Sequence, residues 1–454
     1  MTTAPHRRLK PAIGVVQAVA FALAATSPTA SVFLTYGSAW AVAGTGLVIG
    51  FLIGAVIAFG IALSYAEGAS AYPYTTGGDY SIVAQALGRR VGSVYTSLFT
   101  FKGIVIPAVL SLATAAYIQA VIPTLPLAPT AVVVLLLVLV LSFEGIRVSS
   151  GVATAMVALE SVVLIGFMVV AATHMHQPLS VLVHPVMSTG HTLVAATSAG
   201  IIASVVSALF AFNGWEASLY VSEETKTNPR GIGRTVVVNI GLIVGLEVVA
   251  IVLATLALPH LSLAQHSVIP LAVVVRSSMG VVGATALLVG VVVATFDSTL
   301  ASTVVYGRIY YAIARDGHWP GGLNRFFLKL NRQGVPYGAF VVLGVINVAI
   351  CLMSTLTSLV IFTGALLMVL YLGVSISSFA TRRRAHPQFR MPWWPIPPAI
   401  GIVGILMVFS QLKLAALAIV LGMVAVGLVW SFAHESDAGQ RTRDSGGEPV
   451  ESPH

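Results

Sequence analysis

Four ionisable residues stand inside long apolar runs: Lys102, Glu160, Glu247 and Asp297. A single charge at the centre of a bilayer costs roughly 2.5–3.5 kcal/mol on insertion scales. A chain that keeps four must bury them against partners or beside a water-filled path. Glu160, near the middle of the run 148–170, can bind a proton, a sodium ion or a cationic solute. Lys102 can form a structural ion pair with Glu160, or hold the carboxylate of a solute. Asp297 and its neighbour Ser298 can offer oxygens to a small cation or make a polar contact between helices. Glu247 reads as a contact between helices or a residue near a boundary. Charged groups at depth in several runs point to the movement of a charged solute.

Two polar interruptions supply further candidates. The first run contains Thr26-Ser27-Pro28-Thr29. Pro28 removes a backbone N–H and crowds the preceding turn, and in lipid the freed backbone groups must find polar partners or line a cavity. The alternative is a simple kink. The sixth run contains Phe212-Asn213-Gly214-Trp215-Glu216. Carbonyls of an opened helix there can accept hydrogen bonds from an ammonium group, and Asn213 offers both donors and acceptors. Phe212 and Trp215 can face a cation through their rings or pack in the bundle core. Interruptions in the first run and five runs later match the inverted-repeat plan of membrane transporters.

The elements that must position these residues are membrane helices. Of the 454 residues 57% are hydrophobic and 8% charged, against about 25% charged in a soluble domain. Apolar runs long enough to span lie near 12–36, 41–65, 91–121, 127–145, 148–173, 193–221, 233–258, 282–313, 336–354, 357–380, 396–411 and 414–433. Their length excludes a membrane barrel. The expected fold class is therefore an all-α membrane protein of about twelve spans. The first run is too long for a cleaved signal peptide.

The net charge of +8 comes from short basic clusters between runs, which act as topology determinants rather than as a nucleic-acid surface. Arg7, Arg8, Lys10, Arg89, Arg90, Arg147, Lys226, Arg230, Arg234, Arg315, Arg325, Lys329, Arg332, Arg382, Arg383, Arg384, Arg390, Arg441 and Arg443 fall on one side of a twelve-span chain. Only Arg276 and Lys413 fall on the other. By the positive-inside rule both termini are cytoplasmic, in a plasma (inner) membrane protein. Residues 435–454 are polar and charged and read as a disordered tail. The single cysteine, Cys351, excludes an internal disulfide, and no cluster offers a metal site. His174, His176, His184 and His191 lie between the fifth and sixth runs without a metal-binding spacing. They read as a solvated loop, with pH sensing as the alternative. Glu67, Glu223 and Glu224 are expected to pair with nearby basic residues at a cytoplasmic gate, with Tyr306 and Arg308 near its mouth. No phosphate-binding Gly-Lys-Ser/Thr loop is present, so ATP does not drive this chain.

Several motifs resemble the amino acid–polyamine–organocation transporter superfamily. They are Glu67-Gly68-Ala69-Ser70-Ala71-Tyr72-Pro73, then Gly77-Gly78-Asp79-Tyr80 and Ala86-Leu87-Gly88. Phe212–Glu216 is followed by Glu223-Glu224 and Asn228-Pro229. The run from Arg308 to Gly317 is followed by Trp319-Pro320, and Val335-Pro336 opens the ninth span. The resemblance covers spans 1–10. It implies a LeuT-like fold: an N-terminus at 1–11, inverted repeats at 12–173 and 193–380, and peripheral spans at 396–433. It also implies alternating access, with spans 1, 2, 6 and 7 rocking against 3, 4, 8 and 9. The substrate would sit among Thr26, Ser27, Thr29, Lys102, Phe212, Asn213, Gly214 and Trp215. Coupling would fall to Glu160, Lys102, Asp297 and Ser298. Glu160 corresponds to a span-5 position that carries a lysine in some proton-coupled members.

The Ser-Pro-Thr break departs from the Gly-rich break of many amino acid permeases and looks more like the putrescine-importer branch. Pro28 removes one carboxylate anchor that Lys102 could restore, so amino acids, polyamines and other organic cations all remain open as substrates. The expected activity is proton-coupled import of an amine-bearing solute, with no cofactor and with sodium as the alternative coupling ion. Exchange of two amines is a near alternative and a channel a distant one. A membrane enzyme would need a nucleophile or metal cluster that the sequence lacks. The expected partners are the solute and the lipid bilayer.

Overall fold

A computed structural model describes residues 11–73, 78–144, 146–189, 192–261, 270–315, 317, 319, 321–411, 418 and 421–429. Arg7, Arg8, Lys10, Gly77, His191, Asp316, Pro320, Lys413, Arg441, Arg443 and the tail 435–454 lie outside them. The chain is mostly helical, as lipid requires of a segment that must satisfy its own backbone. In order come α1 (Val15–Thr26), α2 (Pro28–Ala43), α3 (Leu47–Ala71), α4 (Asp79–Leu87), α5 (Arg89–Val121), α6 (Leu127–Ser142) and α7 (Ile146–Thr173). After the short α8 (Ser180–Val183) and a hairpin of β1 (Val186–Thr189) and β2 (Thr192–Ala195) follow α9 (Ser198–Ala211), α10 (Ala217–Tyr220) and α11 (Pro229–Leu256). The order ends with α12 (Pro270–Arg315), α13 (Gly321–Phe327), α14 (Tyr337–Met353), α15 (Leu356–Arg384) and α16 (Ile396–Phe409). Six helical stretches among the described residues are long and apolar enough to cross a membrane, and four shorter apolar helices accompany them.

Helices overlap the expected runs, residues 421–429 falling within the twelfth. Boundaries shift by several residues: α2 runs on to Ala43 and α3 is Leu47–Ala71, against expected limits of 36 and 41–65. The sixth run was expected from 193, but residues 192–195 pair antiparallel with 186–189 and the helix starts at Ser198. Thr197, rich in capping potential, accepts a hydrogen bond from Gly200 N–H and sets that start. The hairpin, in the segment read as a solvated loop, is tied down by Val186 N–H donating to Thr45 Oγ1 (2.9 Å). The eighth run was expected from 282; the helical stretch α12 is broken at Gly280 (φ 71°, ψ −167°), so its long second part begins beside the expected start, and a separate helical piece from Pro270 precedes it.

The site is held by two groups of packed helices. α3 lies against α9, α11 and α16, while α12 lies against α5 and α7. Small residues allow these approaches, as usual between membrane helices. At Gly50 a Cβ would strike the Ser204 side chain of α9.

Candidate functional site

The helix formed by α1 and α2 is opened at one residue. Ser27 takes a left-handed conformation (φ 48°, ψ 80°), and Pro28 begins α2, where its missing N–H costs nothing. The carbonyls released at the end of α1 are satisfied from two directions. Ser31 Oγ donates to Thr26 O (2.8 Å) and Ser298 Oγ on α12 donates to Ala25 O (2.9 Å). Ser27 Oγ donates to Glu160 Oε2 (2.7 Å), and Thr29 Oγ1 donates to the Glu160 carbonyl (3.0 Å). The first opening is thus fastened to α7 and α12.

The second opening lies between α9 and α10. Gly214 carries φ 118°, a conformation open to glycine, and a Cβ there would come within 3 Å of the Thr26 backbone. The two openings are therefore in van der Waals contact. Glu216 organises the second one. Its Oε2 accepts from Gly214 N–H (3.1 Å), and its Oε1 accepts from Asn213 Nδ2 (3.1 Å) and Lys102 Nζ (2.7 Å). Asp79 lies 3.9 Å from the same ammonium and accepts from Tyr220 OH (2.8 Å). Lys102 also stands over the rings of Phe99 and Tyr220, at 5.2 and 5.7 Å. Asn239 of α11 braces the opening by donating to Trp215 O (3.1 Å).

A cavity opens where the two breaks meet. Thr26, Ala30 and Ser31 line it from the first break, and Phe210, Asn213, Gly214 and Glu216 from the second. Ile106, Val109 and Leu110 of α5 form an apolar wall, and Ser298 closes it from α12. The N-terminal turn of α2 and the C-terminal end of α9 both reach this space. The first offers partial positive charge and the second partial negative charge.

Several sequence expectations are redirected by this geometry. Thr26, Asn213, Gly214 and Ser298 line the cavity. Ser27 and Thr29 bond to Glu160 instead, and Thr29 lines a separate small void with Pro28, Glu160 and Leu246. Phe212 packs edge-on against Phe51, and Trp215 stacks on Tyr371. Both are buried and neither lines the cavity, because the open turn directs their rings into the apolar face of α3 and α15. The Glu160–Lys102 pair does not form: Lys102 is taken by Glu216 and Asp79. Lys102 is fully buried and is not among the residues that line the cavity; its ammonium is held by Glu216 and Asp79.

Glu216, not singled out from the sequence, is the charged residue that both lines the cavity and binds Lys102. Its signal was its place one residue beyond Trp215 in a polar insert. Glu247 and Asp297 are fully buried, and neither carboxyl has a hydrogen-bond partner among the described residues. No group of three or more His, Cys, Asp or Glu side chains among the described residues is arranged to hold a metal ion.

The arginine-rich end is shut. Arg308 Nε lies 2.5 Å from Glu224 Oε2, and Arg315 Nη1 lies 2.9 Å from Glu223 Oε1. Arg382 binds Glu67, whose Oε2 also accepts from Met391 N–H (2.7 Å). The segment before α1 closes over this end as well: Ile13 N–H donates to Glu224 O (3.0 Å) and Lys226 N–H to Ile13 O (2.9 Å).

Residues 13–432 match the family model described as amino acid permease. The branched-chain amino acid permease BcaP of Bacillus subtilis (strain 168) is 24% identical over 459 residues, covering 95% of this chain and 94% of the relative. The BcaP of Lactococcus lactis subsp. cremoris (strain MG1363) is 24% identical over 405 residues, 82% and 83% of the two chains. A methylthioribose transporter of Bacillus subtilis (strain 168) is 23% identical over 386 residues, 79% of each.

Proposed function

The chain belongs to the amino acid permease family and is a multi-pass membrane transporter of amino acids, not an enzyme; from that premise we propose that it imports a zwitterionic aliphatic amino acid together with a proton, by alternating access. The observation that carries this reading is the contact of two opened helices, Gly214 against Thr26, at a cavity lined by both. The amide end of α2 suits the solute carboxylate and the carbonyl end of α9 its ammonium group. Ile106, Val109 and Leu110 suit an aliphatic side chain. Two relatives named as branched-chain amino acid permeases support the same class.

The polyamine reading gains no support from the cavity charge. Its carboxylate, Glu216, is already neutralised by Lys102 at 2.7 Å, so no spare anion waits for a second ammonium group. Glu160 is the proposed coupling group, with Ser27 linking it to the first break. The proton is favoured over sodium because Ser298 Oγ bonds directly to Ala25 O, spending on each other two oxygens a sodium ion would need. The LeuT-like repeat, cytoplasmic termini and an inner-membrane location complete the proposal. In this state the arginine-rich end is sealed by the Arg308–Glu224 and Arg315–Glu223 pairs. The cavity lies beyond Lys102, toward the opposite end of α5.

Uptake into proteoliposomes tests the reading. Leucine, isoleucine and valine should accumulate when the outside is made acidic, and putrescine should neither accumulate nor compete. Putrescine accumulation would overturn the substrate assignment. Leucine counterflow with no response to a pH gradient would replace symport by exchange.

A further inference from the structure

Glu160 on α7, Glu247 on α11 and Asp297 on α12 come from three helices and are all buried, with 2%, 0% and 0% of their surfaces exposed. Both oxygens of Glu247 and both of Asp297 have no hydrogen-bond partner among the described residues. Glu160 lines a small void together with Leu246, the neighbour of Glu247, and its partner Ser27 lies two residues from Ala25, whose carbonyl accepts from Ser298, the neighbour of Asp297. An ionised carboxylate without a partner in such a place costs several kcal/mol, which falls on both Glu247 and Asp297 unless each is neutralised. A proton or a cation has to be present. Among the described residues, no Lys or Arg side chain is hydrogen-bonded or ion-paired to Glu247 or Asp297.

Among the described residues, the cationic groups Lys102 of α5 and Arg308 of α12 are engaged elsewhere, while the Tyr65 hydroxyl on α3 has no hydrogen-bond partner and Tyr306 of α12 lines the cavity. On α5, Lys102 is bound to Glu216, Tyr95 donates to Val369 O, and Tyr117 lies near the far end. On α3, Glu67 is bound by Arg382. On α2, Tyr36 is bonded to Thr255. On α10, Tyr220 donates to Asp79. α1 carries no titratable side chain. On α12 itself, Arg308 is bound to Glu224. The three carboxyls also do not converge as ligands of one metal ion.

We propose that Glu160, Glu247 and Asp297 form one shared proton store, in which Glu247 and Asp297 are proton-binding groups beyond Glu160. The proposal deepens the proton-coupled reading above and rests on it for its role in transport. Each loading step forms one O–H bond on a carboxylate oxygen with a proton from water at one membrane face. Each release breaks that bond and returns the proton at the other face, with no change of oxidation state. Because the three groups sit on separate helices, a relative movement of α11 against α7 and α12 changes their mutual repulsion, and with it the affinity for the shared protons.

The test is infrared difference spectroscopy of the purified full-length protein across a pH titration, following the C=O stretch of protonated carboxyl groups and its shift in heavy water. Glu247→Gln and Asp297→Asn should each remove one carboxylic-acid band. Each should move the midpoint of the remaining bands by about one pH unit, a tenfold change in proton affinity. Bands and midpoints identical to the parent in both variants would overturn the store. So would a Glu247→Gln protein that fails to fold, because a neutral isostere belongs in that position; Glu247→Asp should fold and keep its band. Leucine uptake by the parent that ignores a pH gradient while the bands titrate as described would remove the coupling and leave the store standing.

Discussion

The acidic groups at the two helix openings live under opposite conditions. At the second opening, Glu216 and Asp79 share the Lys102 ammonium, and Glu216 also accepts from Gly214 and Asn213. Beside the first opening, Glu160 has a serine hydroxyl, and Glu247 and Asp297 have no hydrogen-bond partner among the described residues. One arrangement brings its own cation, and Glu216 there has a partner on each oxygen. On the proton-store proposal the other is filled by protons. The first, fixed set would then hold the second break open, and the second set would be the one whose filling is tied to a gradient. The difference is visible in partner atoms alone, since burial is nearly the same at both places.

Removing the fixed cation is the most damaging way to probe this contrast. Lys102→Met strands two buried carboxyls, and breaking a buried pair costs about 3–5 kcal/mol. Loss of leucine transport and a large drop in melting temperature are expected. Lys102→Met combined with Glu216→Gln should recover part of the stability but not transport, because Gly214 and Asn213 lose their carboxylate acceptor. If Lys102→Met melts no lower than Glu247→Gln, the two sites do not differ in the way described.

The next effect falls on coupling rather than stability. Glu160→Gln keeps the Ser27 hydrogen bond, with the amide oxygen as acceptor, but cannot release a proton. Accumulation of leucine against its gradient should disappear, while exchange of internal for external leucine continues. In the parent, uptake should rise as external pH falls, since loading of the store from that side precedes inward movement. A Glu160→Gln protein that still accumulates leucine in response to acid would move the coupling elsewhere.

A smaller effect is expected where the openings touch. Gly214→Ala puts a methyl group against the Thr26 backbone at φ 118°, and strain of this kind costs about 1–3 kcal/mol. Leucine affinity should fall along with thermal stability. An unchanged affinity would show that the contact between the breaks does not shape the cavity.

Much of this arrangement was legible in the chain itself. Pro28 among hydroxyl residues and Asn213-Gly214 in an apolar run marked both openings, because proline and glycine act locally on the backbone. Glu67, Glu223 and Glu224 were expected to meet basic residues, and each does so, with Arg382, Arg315 and Arg308. The choice of partner for Lys102 was not legible. Glu160 and Glu216 lie 58 and 114 positions away, and only the crossing of α5 over the second opening decides between them. The directions of Phe212 and Trp215 were equally hidden, since a side chain on an open turn no longer follows helical periodicity. The hairpin at 186–195 was missed because Leu193 and Val194 extend an apolar run that reads as helix.

The mildest probe asks whether Glu247 contributes anything to folding. If it is a proton-binding group held for transport, its burial is a cost to the folded state. Replacement by a well-packed apolar residue should relieve that cost, as it often does for buried ionisable groups. Glu247→Leu should therefore gain about 1 kcal/mol, read as a higher melting temperature at neutral pH. The gain should shrink in acid, where the carboxyl of the parent is neutral as well. A loss of stability of the size seen for Lys102→Met would mean that Glu247 has a structural partner, and would place it with the fixed set at the second opening.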